Sequence, residues 1–171
     1  MSAHALHYDD VEVGDQLPPL DVPLTRRLIV STAIATRDYQ DVHHDPAMAV
    51  ERGSPDIFMN ILTSNGLVGR YVTDWAGPNA FVRAIRIRLG APNHPGDVMR
   101  MMGTVSAKAD GVITVTIKGS NSLGDHVTGT VDLSIPASPA EVPGASATPK
   151  QAKQAKKAKK KSGKSKKERG S

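Results

Sequence analysis

The hydrophobic period of this chain changes once, at Gly77-Pro78, and that change limits the folds open to it. Before this point, apolar side chains recur at a spacing of about 3.6 residues, which predicts one long helix that starts at Pro55-Asp56. After it, apolar and polar residues alternate over Phe81–Leu89, which predicts a half-buried strand. The apolar positions of the helix are Ile57, Phe58, Ile61, Leu62, Val68, Tyr71, Val72 and Trp75.

Three more strands are expected after the turn at Pro95-Gly96-Asp97, joined by turns at Asp110-Gly111 and Leu123-Gly124-Asp125. A long helix followed by an antiparallel meander indicates the α+β class. Gly66 and Gly69 each lower the helix propensity by about 1 kcal/mol, so we expect the helix to approach another backbone closely there. The three strands are Val98–Ala107, Val112–Ser120 and His126–Ile135.

The composition divides the chain into three parts. Residues 1–23 are polar and rich in turn signals, and they predict an N-terminal arm that leads into a single domain over residues 24–136. Within that domain, Leu24–Val30 predicts a strand, followed by a short helix that begins near Ser31 and runs to about Tyr39. Residues 137–171 turn to Pro, Ala, Ser and then Lys, which predicts a disordered tail.

The charge follows the same division. Residues 149–171 hold ten Lys and one Arg against one Glu, a net charge of +10, whereas residues 1–148 hold 11 basic and 16 acidic residues, a net charge of −5. The basic character therefore belongs to the tail and not to the domain. The tail could neutralise phosphates of nucleic acid or tether an acidic partner, and the preferred interpretation is a solubilising extension.

The chain contains no cysteine, which excludes disulfides and thiolate chemistry and suits the cytosol. It has no N-terminal signal pattern and no apolar run of the roughly 20 residues that span a bilayer. We therefore expect a soluble cytoplasmic protein that does not act at a membrane.

The candidate site is the segment from Asp38 to His43, between two predicted short helices. Asp45-Pro46 predicts an N-cap followed by proline at the first helical position, so the chain bends after His43. An Asp and a His five positions apart occur often by chance, as a cap and a solvated side chain. The adjacent His43 and His44 point apart and no third ligand follows at a recognisable spacing, so no metal site is expected.

The chain resembles the MaoC-like (R)-specific enoyl-CoA hydratases, whose motif is D-x-N-P-x-H-x-D. Within that motif the chain keeps Asp38, His43 and Asp45, but it has Gln40 for Asn and Asp41 for Pro. Arg37 also replaces the usual glycine before the first Asp, and Asp56-Ile57 replaces a His-Gly pair. The matching segments are 38–45, 57–75, 95–97 and 122–131, and residues 29–45 and 56–80 look most like the small subunit of the heteromeric hydratases of bacterial steroid side-chain degradation.

This resemblance implies a single hot-dog fold, in which a curved antiparallel sheet wraps around a long central helix. It also implies that Asp38 and His43 flank a catalytic water, that the backbone N–H of Ile57 donates to the thioester oxygen, and that Asn65 faces the pocket. The substrate would be an enoyl-CoA, in particular a steroid side-chain enoyl-CoA of cholesterol catabolism. Coenzyme A then belongs to the substrate, and no separate cofactor is expected.

The same resemblance implies a larger MaoC-like partner subunit in a heteromeric complex, or otherwise a homodimer. Two alternatives stay open at this point. One is a non-catalytic hot-dog module that binds an acyl thioester, and the other is a hot-dog thioesterase.

Overall fold

The computed structural model describes residues 6–138, and the predicted tail beyond Ser138 lies outside the described residues. Three helices and five strands make up the domain, with short 3-10 turns at Tyr8–Asp10 and Asp41–His43. The helices are α1 (Arg26–Ala35), α2 (Pro46–Glu51) and α3 (Ile61–Ala76); the strands are β1 (Gln16–Pro23), β2 (Phe81–Leu89), β3 (Val98–Ala109), β4 (Val112–Asn121) and β5 (Gly124–Ser134). Among the described residues, none of the helices is long and apolar enough to cross a bilayer.

The five strands form one antiparallel sheet in the order β1-β3-β4-β5-β2. Helix α3 contacts both edge strands, β1 and β2, so the sheet must curve around it. The buried face of α3, with Val68 and Val72 fully enclosed, packs against inward residues of the sheet such as Val115 and Val131. A long helix held by a curved antiparallel sheet is the hot-dog arrangement, and the predicted α+β fold is therefore confirmed.

The predicted N-terminal arm over residues 1–23 is wrong for its second half. Gln16–Pro23 is strand β1, which pairs with β3 at the edge of the sheet. The prolines that indicated a turn, Pro18 and Pro19, lie where the register shifts between Leu17 and Leu20. Proline has no N–H to donate, so an edge strand accepts it at such an irregularity. The domain therefore begins before Leu24.

The strand predicted over Leu24–Val30 is also wrong, because α1 begins at Arg26. The side chain of Thr25 accepts a hydrogen bond from the N–H of Leu28 and caps this helix. Leu24, directly after β1, donates its N–H to the carbonyl oxygen of Asp97 at 2.8 Å. Local β propensity is thus overridden by a cap and a tertiary hydrogen bond.

The long helix starts later than the sequence predicts, at Ile61 and not at Pro55-Asp56. Asp56 forms a bidentate pair with Arg26, with contacts of 3.0 and 2.6 Å. The N–H of Phe58 donates to Val42 and that of Met59 donates to Asn93, so the segment before α3 is held by distant backbone. Those donors would otherwise have gone unsatisfied in the first helical turn.

The glycines of α3 do not have the role that the sequence suggested. Gly66 is exposed and no atom lies within 4 Å of the place where a Cβ would be, and Gly69 meets only the Cδ1 atom of Ile85 at 3.4 Å. Close approach occurs in the sheet instead, where a Cβ on Gly129 would overlap the carbonyl oxygen of Arg86. The helix therefore packs through side chains, and β2 and β5 approach each other at a glycine.

Candidate active site

The first site residue, Asp38, is positioned by the way α1 ends. The N–H of Arg37 donates to the carbonyl oxygen of Ile34 at 3.0 Å, and the N–H of Asp38 donates to that of Ala33 at 2.9 Å. With Arg37 at φ +58°, this is a Schellman ending, which usually has glycine at the left-handed position. The turn reverses the chain and presents Asp38 immediately beyond the helix.

The second site residue, His43, follows in the 3-10 turn that precedes α2. Its Nδ1 lies 2.7 Å from the carbonyl oxygen of Phe58. Because a carbonyl only accepts, Nδ1 must carry the proton, and the Nε2 of the neutral ring has a free lone pair. That Nε2 lies 3.4 Å from Oδ2 of Asp38, and both side chains are largely buried, with 8% and 19% of their surface exposed.

The structure thus brings together the two residues that the sequence pairs, and with His43 neutral they face each other as two acceptors. A neutral imidazole with its lone pair on Nε2 cannot donate to the Asp38 carboxylate. A water molecule has two hydrogens and can donate one to each. The pair is therefore arranged to hold and polarise a water that lies beside both groups and donates one hydrogen to each.

A third side chain, Asn60, completes this cluster and was missed by the sequence analysis. Its Nδ2 donates to Oδ2 of Asp38 at 3.0 Å and to Oγ1 of Thr36 at 2.8 Å. Its Oδ1 accepts from the N–H of Thr63 and so caps α3. Asn60 is a favoured N-cap residue directly before Ile61, but the predicted helix start at Pro55-Asp56 placed it inside the helix, so its capping role was not considered.

These residues lie at a cavity of about 330 Å³. The rest of its lining is mainly apolar, as expected of a site for an acyl chain. Gln40 also faces the cavity. The lining consists of Asp38, Gln40, His43, Phe58, Met59, Asn60, Ile61, Leu89, Gly90, Ala91, Pro92 and His126.

The second histidine of this cavity, His126, has a fixed tautomer as well. Its Nδ1 lies 2.7 Å from the carbonyl oxygen of Ala91 and so carries the proton, while its Nε2 lies 2.8 Å from Oγ of Ser64. Only 2% of the residue is exposed, and this burial lowers the pKa of the imidazole. His126 is therefore a neutral part of the cavity wall at neutral pH.

Two residues that the sequence assigned to the site, Ile57 and Asn65, do not line this cavity. Ile57 is fully buried, does not line the cavity, and donates its N–H to Oδ1 of Asp56 at 2.7 Å. Asn65 is exposed on α3 and does not line the cavity either. For Ile57 the reason is the later start of α3, which moves the first free amides of the helix to Ile61. Among residues 6–138, no acceptor is found for the N–H of Ile61.

The neighbouring residues have structural roles. Asp45 accepts from the N–H groups of Ala47 and Met48 and caps α2, as predicted. His44 is exposed, and its Nε2 lies 3.2 Å from the carbonyl oxygen of Tyr39. No three His, Asp or Glu side chains of the described chain cluster closely enough to hold a metal ion.

Comparison with known proteins gives consistent matches. A family model described as "MaoC like domain" matches residues 11–125. The 3-oxo-4,17-pregnadiene-20-carboxyl-CoA hydratase beta subunit of Mycobacterium tuberculosis is 57% identical over 123 residues, which are 72% of this chain and 95% of that protein.

Solved structures also match this chain. A chain of the ChsH1-ChsH2 complex from M. tuberculosis superposes with a TM-score of 0.72 at 56% identity, over 72% of this chain and 98% of that one. An unliganded (R)-hydratase from Pseudomonas aeruginosa also has a TM-score of 0.72, at 20% identity, over 84% of this chain and 97% of that one. At that identity, the second match shows the shared fold.

Proposed function

The chain belongs to the MaoC-like domain family, and from that premise and the site geometry we propose that it is a subunit of an enoyl-CoA hydratase. The observation that carries the proposal is the 3.4 Å approach of His43 Nε2 to Asp38 Oδ2, with His43 Nδ1 bound to the carbonyl oxygen of Phe58. Hydration of a conjugated thioester needs a polarised water beside the double bond, and this pair provides the place for one.

The reaction follows from that arrangement. The water oxygen bonds to the β-carbon while one of its protons passes to the Asp38–His43 pair. The π electrons move toward the thioester, giving an enolate, and the pair then returns a proton to the α-carbon. The Asp38 carboxylate stabilises any positive charge that forms on His43 in between, as a carboxylate does for a general-base histidine.

The enolate oxygen needs hydrogen-bond donors, and the first turn of α3 is suited to supply them. The N–H of Ile61 is free of an acceptor within the described chain, and Ile61 lines the cavity. A helix N-terminus favours negative charge through its dipole and its unpaired amides. We therefore assign the donor role to this turn in place of Ile57.

The substrate class and the partner come from the relatives. The M. tuberculosis relative is named as a hydratase of a steroid 20-carboxyl-CoA, and the matching solved structure is of a two-component complex. We propose the same kind of substrate here, a steroid side-chain enoyl-CoA, and a complex with a larger MaoC-like subunit. Coenzyme A enters as part of the substrate and no separate cofactor is required.

The test is Asp38→Asn in the complex purified from the host, with an enoyl-CoA substrate. We expect kcat to fall by about 10²- to 10⁴-fold, measured as loss of the ultraviolet absorbance of the conjugated thioester. The matched control is Asp41→Asn, three positions away, which removes a surface ion pair with Arg52 at 2.9 Å. An Asp38→Asn complex as fast as the wild type would refute the proposal.

Two further measurements define the activity. Product analysis should show the 3-hydroxyacyl-CoA and no free coenzyme A, whereas a thioesterase would release coenzyme A. The chain purified alone should be much slower than the complex. Rapid turnover by a homodimer would contradict the heteromeric part of the proposal. The cytoplasmic location is part of the same proposal and is tested by cell fractionation.

A further inference from the structure

The amide of Asn60 uses both of its N–H donors and one lone pair of its oxygen at the point where three parts of the site meet. Its two N–H hydrogens go to Asp38 Oδ2 and Thr36 Oγ1, at 3.0 and 2.8 Å, and its oxygen accepts the N–H of Thr63 at 3.0 Å. The residue is 2% exposed. One side chain thus links the end of α1, the candidate carboxylate and the start of α3.

The orientation of this amide is fixed by its partners. Exchanging its oxygen and nitrogen would place two acceptors against each other at Asp38 and two donors against each other at Thr63. Thr36 cannot reverse the arrangement, since its hydroxyl already donates to the carbonyl oxygen of Thr32 at 2.8 Å. The donor that reaches Asp38 is therefore held in one direction.

The Asp38 carboxylate has no comparable anchor elsewhere in the described chain. No Lys or Arg of residues 6–138 forms an ion pair with it, and its other polar neighbour is the lone pair of His43 Nε2. Two acceptors that face each other do not hold each other in place. The direction of Oδ2 toward a shared water is thus set from the Asn60 side.

We propose that Asn60 is the positioning residue for Asp38, which it aims at the water shared with His43. This inference rests on the proposed hydratase activity and extends it to a residue outside the Asp-His motif. Asn60 forms no bond with the reacting atoms, and it acts through the carboxylate. Because Asn60 is the N-cap of α3, the same side chain also fixes Asp38 relative to the turn that offers its amides to the enolate oxygen.

A purely structural reading, in which Asn60 only caps α3, makes a different prediction. Ser and Asp are both good N-cap residues, so either would preserve the helix. The Ser hydroxyl is shorter than the amide and lacks the Nδ2 group that reaches Asp38, and Asp replaces that donor with a second carboxylate. If Asn60 only caps α3, Asn60→Ser and Asn60→Asp should both keep the activity. If Asn60 positions Asp38, both variants should lose activity, and Asn60→Asp should lose more.

The experiment measures hydration of an enoyl-CoA by the purified complex carrying Asn60→Ser, Asn60→Asp, Asp38→Asn or the double variant Asp38→Asn/Asn60→Ser. We expect Asn60→Ser to lower kcat by about 10- to 100-fold with little change in KM, since a misdirected catalytic group impairs the transition state more than binding. Asn60→Asp should be slower still. Asn79→Ser, the same change in an exposed turn, is the control and should match the wild type.

When Asp38→Asn is already present, adding Asn60→Ser should lower kcat only slightly further, because the carboxylate that Asn60 positions has been removed. Two results would overturn the inference: a wild-type kcat for Asn60→Ser, or an undiminished effect of Asn60→Ser in the double variant. Either can occur while Asp38→Asn alone is slow, and the hydratase assignment would then stand. If Asp38→Asn is as fast as the wild type, the hydratase assignment itself is rejected.

Discussion

The imidazole of His43 donates its Nδ1–H to the carbonyl oxygen of Phe58 at 2.7 Å, a contact between residues 15 positions apart. The segment that leads into α3 therefore decides which nitrogen of the histidine is free. The rings of the two residues also meet edge to face, with centroids 5.0 Å apart. The carbonyl and the ring of Phe58 together orient Nε2 toward Asp38.

His43→Asn tests this relationship. The shorter amide can still donate toward Phe58, but it has no basic nitrogen where Nε2 was. We expect kcat to fall by about 10²- to 10⁴-fold and thermal unfolding of the chain to change little. The adjacent His44→Asn is the control, because His44 is exposed, and it should keep full activity. Equal activity of the two variants would contradict the role of His43.

Arg37→Gly should stabilise the domain by about 1 kcal/mol, because a side chain at φ +58° is strained and glycine is not. Urea unfolding of the chain measures the change. Arg37→Ala removes the same guanidinium but keeps a Cβ in the left-handed region, so its stability should stay near that of the wild type. If Ala stabilises as much as Gly, the effect comes from charge and not from backbone strain.

The stability of the domain should fall on the acid side of neutrality, in part through His126. Burial lowers the pKa of this imidazole in the folded state, whereas in the unfolded chain it is near the ordinary value of about 6.5. Below that pH the unfolded chain binds a proton that the folded domain does not. This difference costs up to about 1.4 kcal/mol of unfolding free energy per pH unit, until the folded-state pKa is reached.

His126→Gln should flatten that dependence, although it lowers stability at neutral pH by losing buried hydrogen bonds. The measurement is the unfolding free energy in urea between about pH 7.5 and pH 5, limits that lie above and below the ordinary histidine pKa of about 6.5. His44→Asn is the exposed control and should keep the wild-type slope. An unchanged slope in His126→Gln would show that His126 does not titrate differently on folding.

Two glycine substitutions should have opposite effects. Gly129→Ala places a Cβ against the carbonyl oxygen of Arg86, where neither backbone can yield, so we expect a loss of about 3 kcal/mol or more. Gly66→Ala meets no atom within 4 Å and should raise the stability of the isolated chain by up to about 1 kcal/mol. Thermal unfolding of the two variants is the measurement. Destabilisation by Gly66→Ala would contradict the open space seen at this position of α3.

Much of the sheet could be predicted from local pattern. The alternation over Phe81–Leu89 gave β2 with its exact bounds, and Asp110-Gly111 forms the expected hairpin turn, with φ +51° and +74°. Asp45-Pro46 opens α2 as expected. These features depend on residues within a few positions of each other, where propensity and turn chemistry decide the outcome. The pairing of Asp38 with His43 came from the motif, and its geometry agrees.

What the sequence alone determined was thus the α+β class, most strands, and the two residues of the candidate pair. Only the tertiary structure decided where α3 begins, because Arg26 binds Asp56 from 30 positions away and delays the helix to Ile61. That shift moved Ile57 away from the cavity and brought Asn60 to it, whereas Asn65 lies on the exposed face of α3. A sequence shows which groups can accept or donate, but the partner of each is set by which distant segments the fold brings into contact.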